Sequence, residues 1–491
     1  MNSDALGVSG RAGAVLALAL ILFGCAQHAR VICEPLNLAS SGLFTEAVDS
    51  LDDTDVAESE NDRFLYHVQR GHLLHLADRF EDSNAEFEKA AAVVRELEPW
   101  SVSETITDYT FNEAVKAYSG EDYERAYVHY YMALNYLGLG DLDGAIVECR
   151  RLDEVFRELD ARYEEDTGRY QDDGFIRYLS GLLYEASGRR DDAFVDYELA
   201  VRAYEGEATS ESAERMPEGL LESYVCLGRR LGRDERVASV VGRAETDCPE
   251  RRSVDTGQRS EIIVVVDSGW APYKREEALR VPIVRRHVPE DYWDRGWIEV
   301  DAVVKIALPE FESVPDGAGG FMVTAVGMPG GGAPGEPRSA IAEPVRDMDA
   351  LARSTLERRR PALLARSAIR ATLKTVSVLK AQHEREDARE EREKDGKGGS
   401  FWSWLADFFV EHVVPVAVSE TEQADTRSWI TLPCSIWMAR IPAEPGEYEL
   451  RLEPETGPSL PLGTVTVRAG ERTFLWHRYF GTPHPMRCEA D

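Results

Sequence analysis

Over residues 41–249 the apolar positions recur with the helical period, and Gly-Asp and Gly-Arg pairs punctuate them. After Glu250 the pattern changes. A mixed-charge stretch to Ser260 reads as a linker, and Glu261-Ile262-Ile263-Val264-Val265-Val266-Asp267 reads as a buried strand because its apolar run is short and continuous. Further strands are predicted over Trp297 to Leu308, Gly320 to Met328 and Arg338 to Ala342, then over Tyr448 to Glu453, Thr464 to Arg468 and Arg472 to Tyr479. Between the two strand groups, Arg346 to Arg392 reads as one or two helices with Leu351, Leu356, Leu363, Leu364, Ile369, Leu373, Val376 and Leu379 apolar. A second, aromatic helix is expected from Phe401 to Val418, completing a hairpin packed on the sheet. The pattern predicts a multidomain chain: an N-terminal all-α helical-repeat array, then a C-terminal β-rich, sandwich-like α+β domain with a helical-hairpin insertion.

The clearest helical unit spans Phe175 to Tyr204. Gly181, Tyr184, Gly188, Ala193, Tyr197 and Ala200 fall there at the offsets where a tetratricopeptide repeat places its small and bulky packing residues. Small residues at Gly181, Ala193 and Ala200 let two antiparallel helices approach, and Tyr184 and Tyr197 fill the gap between them. The same frame recurs at Ala133, Tyr136, Gly140, Ala145 and Cys149, and less completely at Gly71, Leu74, Phe87 and Ala90. Half-units around Gly42 and Ala47, and around Val225, Gly232, Val237 and Ala244, are expected to cap the ends. Gly140 to Gly188 is 48 residues and Gly188 to Gly232 is 44, so the solenoid is divergent. The dense tyrosines from Tyr109 to Tyr136 read as core at this spacing, a peptide groove being the alternative. His72, His75 and Asp78 follow one another at single-turn intervals; packing histidines are the preferred reading, and no metal site is assigned.

The N-terminus changes the picture of where the array works. Arg11 precedes an apolar stretch, Ala12 to Phe23, too short to cross a bilayer as a stable helix, and Leu22-Phe23-Gly24-Cys25 closes it. This resembles the bacterial lipobox, which implies acylation of Cys25, removal of residues 1–24 and a lipidated tether over residues 25–40. Ala26 follows the cysteine, which by that resemblance sends the protein to the outer membrane, on the periplasm-facing side. Besides Cys25 there are six cysteines, an even count that permits disulfides in an oxidising compartment, but their spacing specifies no pairing. Cys149 and Cys226 read as buried free thiols.

A formal net charge of -33 repels nucleic acid and anionic headgroups, so attachment must come from the acyl chains. The glycine-rich stretch Pro329 to Gly335 lacks the Lys-Ser/Thr pair and following helix of a phosphate loop, and no cofactor is implied. Neither a nucleophile elbow nor a metalloprotease helix motif is present, and no catalytic residue is assigned.

Ala424-Asp425-Thr426-Arg427-Ser428-Trp429 and Leu432-Pro433, with the Cys25 signal, the Tyr123 to Gly140 helix pair and the Val264 to Pro272 strand and turn, carry a wider resemblance. Together they resemble a family of uncharacterised bacterial outer-membrane lipoproteins with tetratricopeptide-like repeats. The resemblance covers most of the mature chain, implies no enzymatic activity and, through genes often seen near lipoprotein activators of penicillin-binding proteins, points to envelope biogenesis. Asp425 and Arg427, sharing a face if they lie on a strand, are expected to form a bidentate structural pair at the junction of insertion and sheet. Phe401, Trp402, Trp404 and Phe408 are the candidate interaction residues on the aromatic helix. The organisation expected is thus a repeat domain over residues 41–249, a linker over 250–260, β-rich parts over 261–345 and 419–491, and a helical insertion over 346–418. The function expected is a lipid-anchored envelope scaffold or adaptor with envelope proteins as partners. A structural subunit of an export or surface-assembly complex and an envelope hydrolase are the alternatives.

Overall fold

A computed structural model describes residues 28–97, 116–163, 173–207, 215–241, 248, 260–284, 300–315, 317–333, 335–394 and 422–481. Cys25 with its signal, and the Phe401 to Val418 segment with Phe401, Trp402, Trp404 and Phe408, lie outside the described residues.

The first half of the chain is helical. After a single turn, His28–Val31 (α1), come the antiparallel pairs Cys33–Ser40 (α2) with Phe44–Asp52 (α3) and, past the short Asp55–Glu58 (α4), Arg63–Leu76 (α5) with Phe80–Leu97 (α6). Three more follow: Asp122–Gly138 (α7) with Leu142–Tyr163 (α8), Gly174–Ala186 (α9) with Arg190–Glu207 (α10), and Glu218–Arg230 (α11) with Asp234–Val241 (α12). One device closes all five pairs. Each turns through a residue of positive φ: Gly42 at 76°, Asp78 at 57°, Gly140 at 74°, Gly188 at 80° and Gly232 at 68°. The next N–H returns to the carbonyl five residues back, Leu43 to Leu38, Arg79 to Leu74, Asp141 to Tyr136, Arg189 to Tyr184 and Arg233 to Gly228. Such closures satisfy the orphan carbonyls of the first helix. The end units anticipated as halves are therefore complete hairpins.

Inside the pairs, glycine sets the crossing distance. A Cβ added at Gly181 would stand 2.5 Å from the Tyr197 ring, and one at Gly71 would stand 3.0 Å from Phe87. Ala133, Ala145, Ala193, Ala200, Tyr184 and Tyr197 are all buried, while Tyr136 is half-buried.

The second half holds two four-stranded sheets and a ribbon. In the first sheet, Glu261–Ser268 (β1) runs parallel to Arg472–Tyr479 (β10) and antiparallel to Ser435–Pro442 (β7), which pairs with Glu343–Asp347 (β6). In the second, all antiparallel, Phe321–Gly327 (β4) lies between Arg338–Ile341 (β5) and Gly446–Pro454 (β8), with Leu460–Val467 (β9) beyond. The two sheets share a core. Ile262, Val264 and Val266 of β1 meet Val323 and Ala325 of β4 and Tyr448, Leu450 and Leu452 of β8 there. On the other face of β1, Ile263 and Val265 join Ile436, Met438 and the helices in a second core. β1 is buried along its whole length because it is covered on both faces, which is why its sequence runs apolar without alternation. Three layers result: helical array, first sheet, second sheet.

Three strands stand where none was anticipated, Tyr273–Val284 (β2), Glu343–Asp347 (β6) and Ser435–Pro442 (β7), and β6 takes in Arg346 and Asp347, where the helix was expected to begin. The β2 strand pairs with Val300–Glu312 (β3) as a separate ribbon. One long helix, Met348–Lys394 (α13), packs on β3 and continues through Pro361. Of its expected apolar positions, Leu356 and Leu363 are buried, while Leu364, Ile369 and Leu373 are each 43% exposed.

Candidate functional site

The first helices of successive hairpins lie on the first sheet. Tyr130 and Tyr131 on α7 donate to the Asp267 carboxylate of β1 at 3.5 and 2.8 Å, and Tyr130 packs against Phe175. Burial raises the Asp267 pKa, against the pull of Arg478, and lifts both phenols well above their ordinary value, so the tyrosines remain donors. Arg478 of β10, the cross-strand neighbour of Asp267, sends Nη2 to the carbonyls of Gly269, Thr431 and Leu432. The indole of Trp429 donates to Thr431 Oγ1 at 2.7 Å, and the same hydroxyl lies 3.1 Å from His72 Nδ1. His75 meets Asn135 at 2.6 Å and stacks on Trp476, and His67 meets Glu86 at 2.7 Å. The three histidines thus have three separate partners. Among the described residues no group of three or more His, Cys, Asp or Glu is placed to hold a metal ion.

Charged anchors flank this centre. Arg440 of β7 binds both oxygens of Glu261 at 2.7 and 3.0 Å and reaches Tyr178, Ser223 and the Gly219 carbonyl on α9 and α11. Arg472 joins Glu185 to Glu261, and Arg346 pairs with Asp173, the residue that caps α9. At the far end Glu121 pairs with Lys274 of β2 and Arg359 of α13. Burial pushes the Glu121 pKa up, but those two cations outweigh it and hold it at about 2.

Arg427 meets Asp425 in a two-point fork, 2.8 Å at each end, and also Asp62 at 3.1 Å. The backbone here is irregular rather than a strand, so alternation does not bring the two together. An Asp425 oxygen also accepts the Arg427 N–H at 3.0 Å, and this local turn orients the fork. Through Arg427 the pair holds its loop to the helical array at Asn61 and Asp62.

A different surface remains open. Between the second and third hairpins lies a groove of about 410 Å³ with Val94, Val128, Val155 and Leu159 on its floor. Arg95, Arg125, Arg151, Glu88, Glu154 and Glu158 also line it, with Arg151 paired to Glu88 and Arg125 bonded to Ser119. Arg95, Glu154 and Glu158 are exposed and make no hydrogen bond or ion pair among the described residues.

Chemically, the sealed face is a joint. Asp267 and His72 are 6% and 0% exposed, sealed between the helices and the sheet. Burial pushes the free Cys149 thiol up to about 12, which leaves it protonated at neutral pH. Cys226, expected as a free thiol, is instead bonded to Cys248 with 5.3 Å between the Cα atoms, tying the last hairpin to the chain that follows it. Sequence reasoning missed Arg440, Arg472 and Arg478. Their one local signal is a charge at the ends of otherwise apolar strands.

No protein-family model matches the chain, and no curated protein matches it. Among solved structures it is similar to the crystal structure of BtubC (BKLC) from P. vanneervenii, at 15% identity and a TM-score of 0.28, over 43% of this chain and 72% of that one. A likeness that slight carries no argument.

Proposed function

We propose that the protein is a lipid-anchored scaffold of the cell envelope. Acyl chains on Cys25 hold it to the outer membrane, and its helical hairpins, a divergent array of tetratricopeptide-like repeats, bind a protein partner in envelope or peptidoglycan biogenesis. The observation that carries this reading is the groove beside Val94 and Val155. It combines an apolar lining with three exposed charges, Arg95, Glu154 and Glu158, that make no hydrogen bond or ion pair among the described residues, while the face made by the first helices is already filled by the chain's own sheet. Support also comes from the Cys226–Cys248 bond, which suits an oxidising compartment.

Crosslinking mass spectrometry on intact cells, at native expression and with Cys25→Ser as control, tests the proposal. Discrete crosslinks from α6 and α8 to one envelope protein, lost in the control, are expected. Absence of a specific partner in either form would sink the scaffold reading.

A further inference from the structure

Cys33, the first residue of α2, is held in a disulfide and is 1% exposed. Its partner follows by elimination. The chain has seven cysteines; Cys226 is joined to Cys248, and Cys149 and Cys434 remain thiols. Two are left, Cys25 and Cys488, both outside the described residues. Acylation at the Cys25 thiol uses up the S–H that a disulfide needs. The fold brings the other cysteine within reach. Strand β10 ends at Tyr479, and the next two residues line one cleft with Ser40, Ser41 and Gly42 at the turn of the first hairpin. The Phe480 ring centre stands 6.4 Å from that of Phe44 on α3 and 4.8 Å from that of Trp270. The chain therefore leaves the first sheet beside the helix pair that carries Cys33. Seven residue steps from Gly481 to Cys488 reach at most about 25 Å. Cys33 lies eight residues before Ser41, about 12 Å along the helix, which leaves the remainder to cross the cleft.

We propose that Cys33 is joined to Cys488, and that this bond clasps the two ends of the chain together beside the lipid anchor. The elimination of Cys25 rests on its acylation. Each thiol loses one proton and one electron as the S–S bond forms; both protons and both electrons pass to a disulfide-bearing oxidant of the envelope, whose own S–S bond opens to two thiols. Cys33 follows Cys25 by eight residues, so α2 stands close behind the anchor. It packs on α3 in the terminal hairpin, which has the array on one side only. The clasp passes a pull on the lipid to β10 and the first sheet, and so keeps the first hairpin from peeling away.

Peptide mapping of the full chain isolated from the envelope, denatured in iodoacetamide without reduction, decides the pairing. Trypsin cuts after Arg30, Arg63 and Arg487, so Cys25, Cys33 and Cys488 fall on separate peptides. The expected result is the 31–63 peptide joined to the one that begins at Cys488. A 31–63 peptide joined to the 25–30 peptide or to another chain, or carrying an alkylated thiol, overturns the proposal. The mass of the 25–30 peptide reads the acylation separately: an unmodified Cys25 beside a Cys33–Cys488 pair removes the anchor and leaves the pairing standing. Limited proteolysis of the full chain tests the clasp, with release of the first hairpin expected to be several-fold faster in Cys488→Ser than in the native chain. Equal rates overturn the clasp. Should the variant not fold, the map of the native chain decides alone.

Discussion

The two faces of the helical array are built from the same hairpins and meet opposite fates. On the face that rests on the first sheet, aromatic rings and ion pairs are driven out of water together, and Tyr131 and Arg440 bond to partners across the joint. On the groove side, Arg95, Glu154 and Glu158 stand exposed beside an apolar lining and make no hydrogen bond or ion pair among the described residues. A buried ion pair contributes mainly by fixing which surfaces meet, because desolvation offsets much of its attraction, yet removing one partner leaves an uncompensated charge. Damage to the sealed face should therefore be read as lost stability, and damage to the groove as lost recognition.

The largest effect is expected at Arg440. It links β7 to β1, α9 and α11 at once, and Arg440→Ala takes from Glu261, which is 3% exposed, its two-point partner. A loss of about 3–5 kcal/mol is expected in chemical denaturation. A loss under 1 kcal/mol would show that the two halves hold together without this joint.

Acid should open the same face. Burial lowers the pKa of His75 from 6.5 to about 4, despite the Asn135 bond that favours the charged ring, and it lowers His72 further in the same direction. Asn135, His72, Tyr131, Phe80, Trp476 and the Arg478 charge surround His75, and burial together with the Arg478 charge outweighs the Asn135 bond. The folded His75 binds a proton less readily than the unfolded one. Its contribution is complete above pH 6.5 and is lost as pH falls to about 4, on the order of 3 kcal/mol over that window. Below pH 4.5 the depressed carboxylates Glu121 and Glu86, each at about 2, extend the loss. Denaturation midpoints across pH 4–7 should slope accordingly, and His75→Gln should flatten the slope by about one proton. An unchanged slope in that variant would remove His75 from the account.

Within a hairpin, Gly181→Ala tests the packing that the sequence already announced. A glycine-to-alanine change at an exposed helical site gains about 0.5–1 kcal/mol. Here the new methyl meets the Tyr197 ring, itself 0% exposed, at 2.5 Å, and a net loss of about 1–2 kcal/mol in Tm-derived stability is expected. A rise in Tm would mean that the ring can yield.

That contact marks the limit of what was legible beforehand. Hairpins are local objects: Gly181 and Tyr197 are close in sequence, and the positive-φ glycines at 140, 188 and 232 mark their own turns. The β1 strand is legible for a similar reason, since burial on both faces erases alternation. Long-range pairing is not. Nothing in Glu261 to Ser268 announces that its parallel neighbour begins at Arg472, and β2, Tyr-Lys-Arg-Glu-Glu-Ala-Leu-Arg, is written in residues that favour helix and acquires its strand only by pairing with β3. The sealing of the helical half against the sheet was hidden for the same reason. Tyr130 and Tyr131 read correctly as core, but the core they enter is completed by Asp267, 136 residues beyond Tyr131.

The smallest effect on stability is expected where the effect on function is greatest. Glu154 and Glu158 lie on the outer side of α8, exposed and unengaged, so Glu154→Lys with Glu158→Lys should change unfolding free energy by no more than about 0.5 kcal/mol for each substitution. The same pair reverses the charge along one edge of the groove while leaving Val94, Val128, Val155 and Leu159 untouched. If the groove recognises a partner partly by charge, the double variant loses its crosslinks while its denaturation curve overlays that of the native chain. Loss of both together would put α8 on the stability side of the comparison. Retention of both would take recognition away from this groove, leaving the array as a support for the sheet it carries.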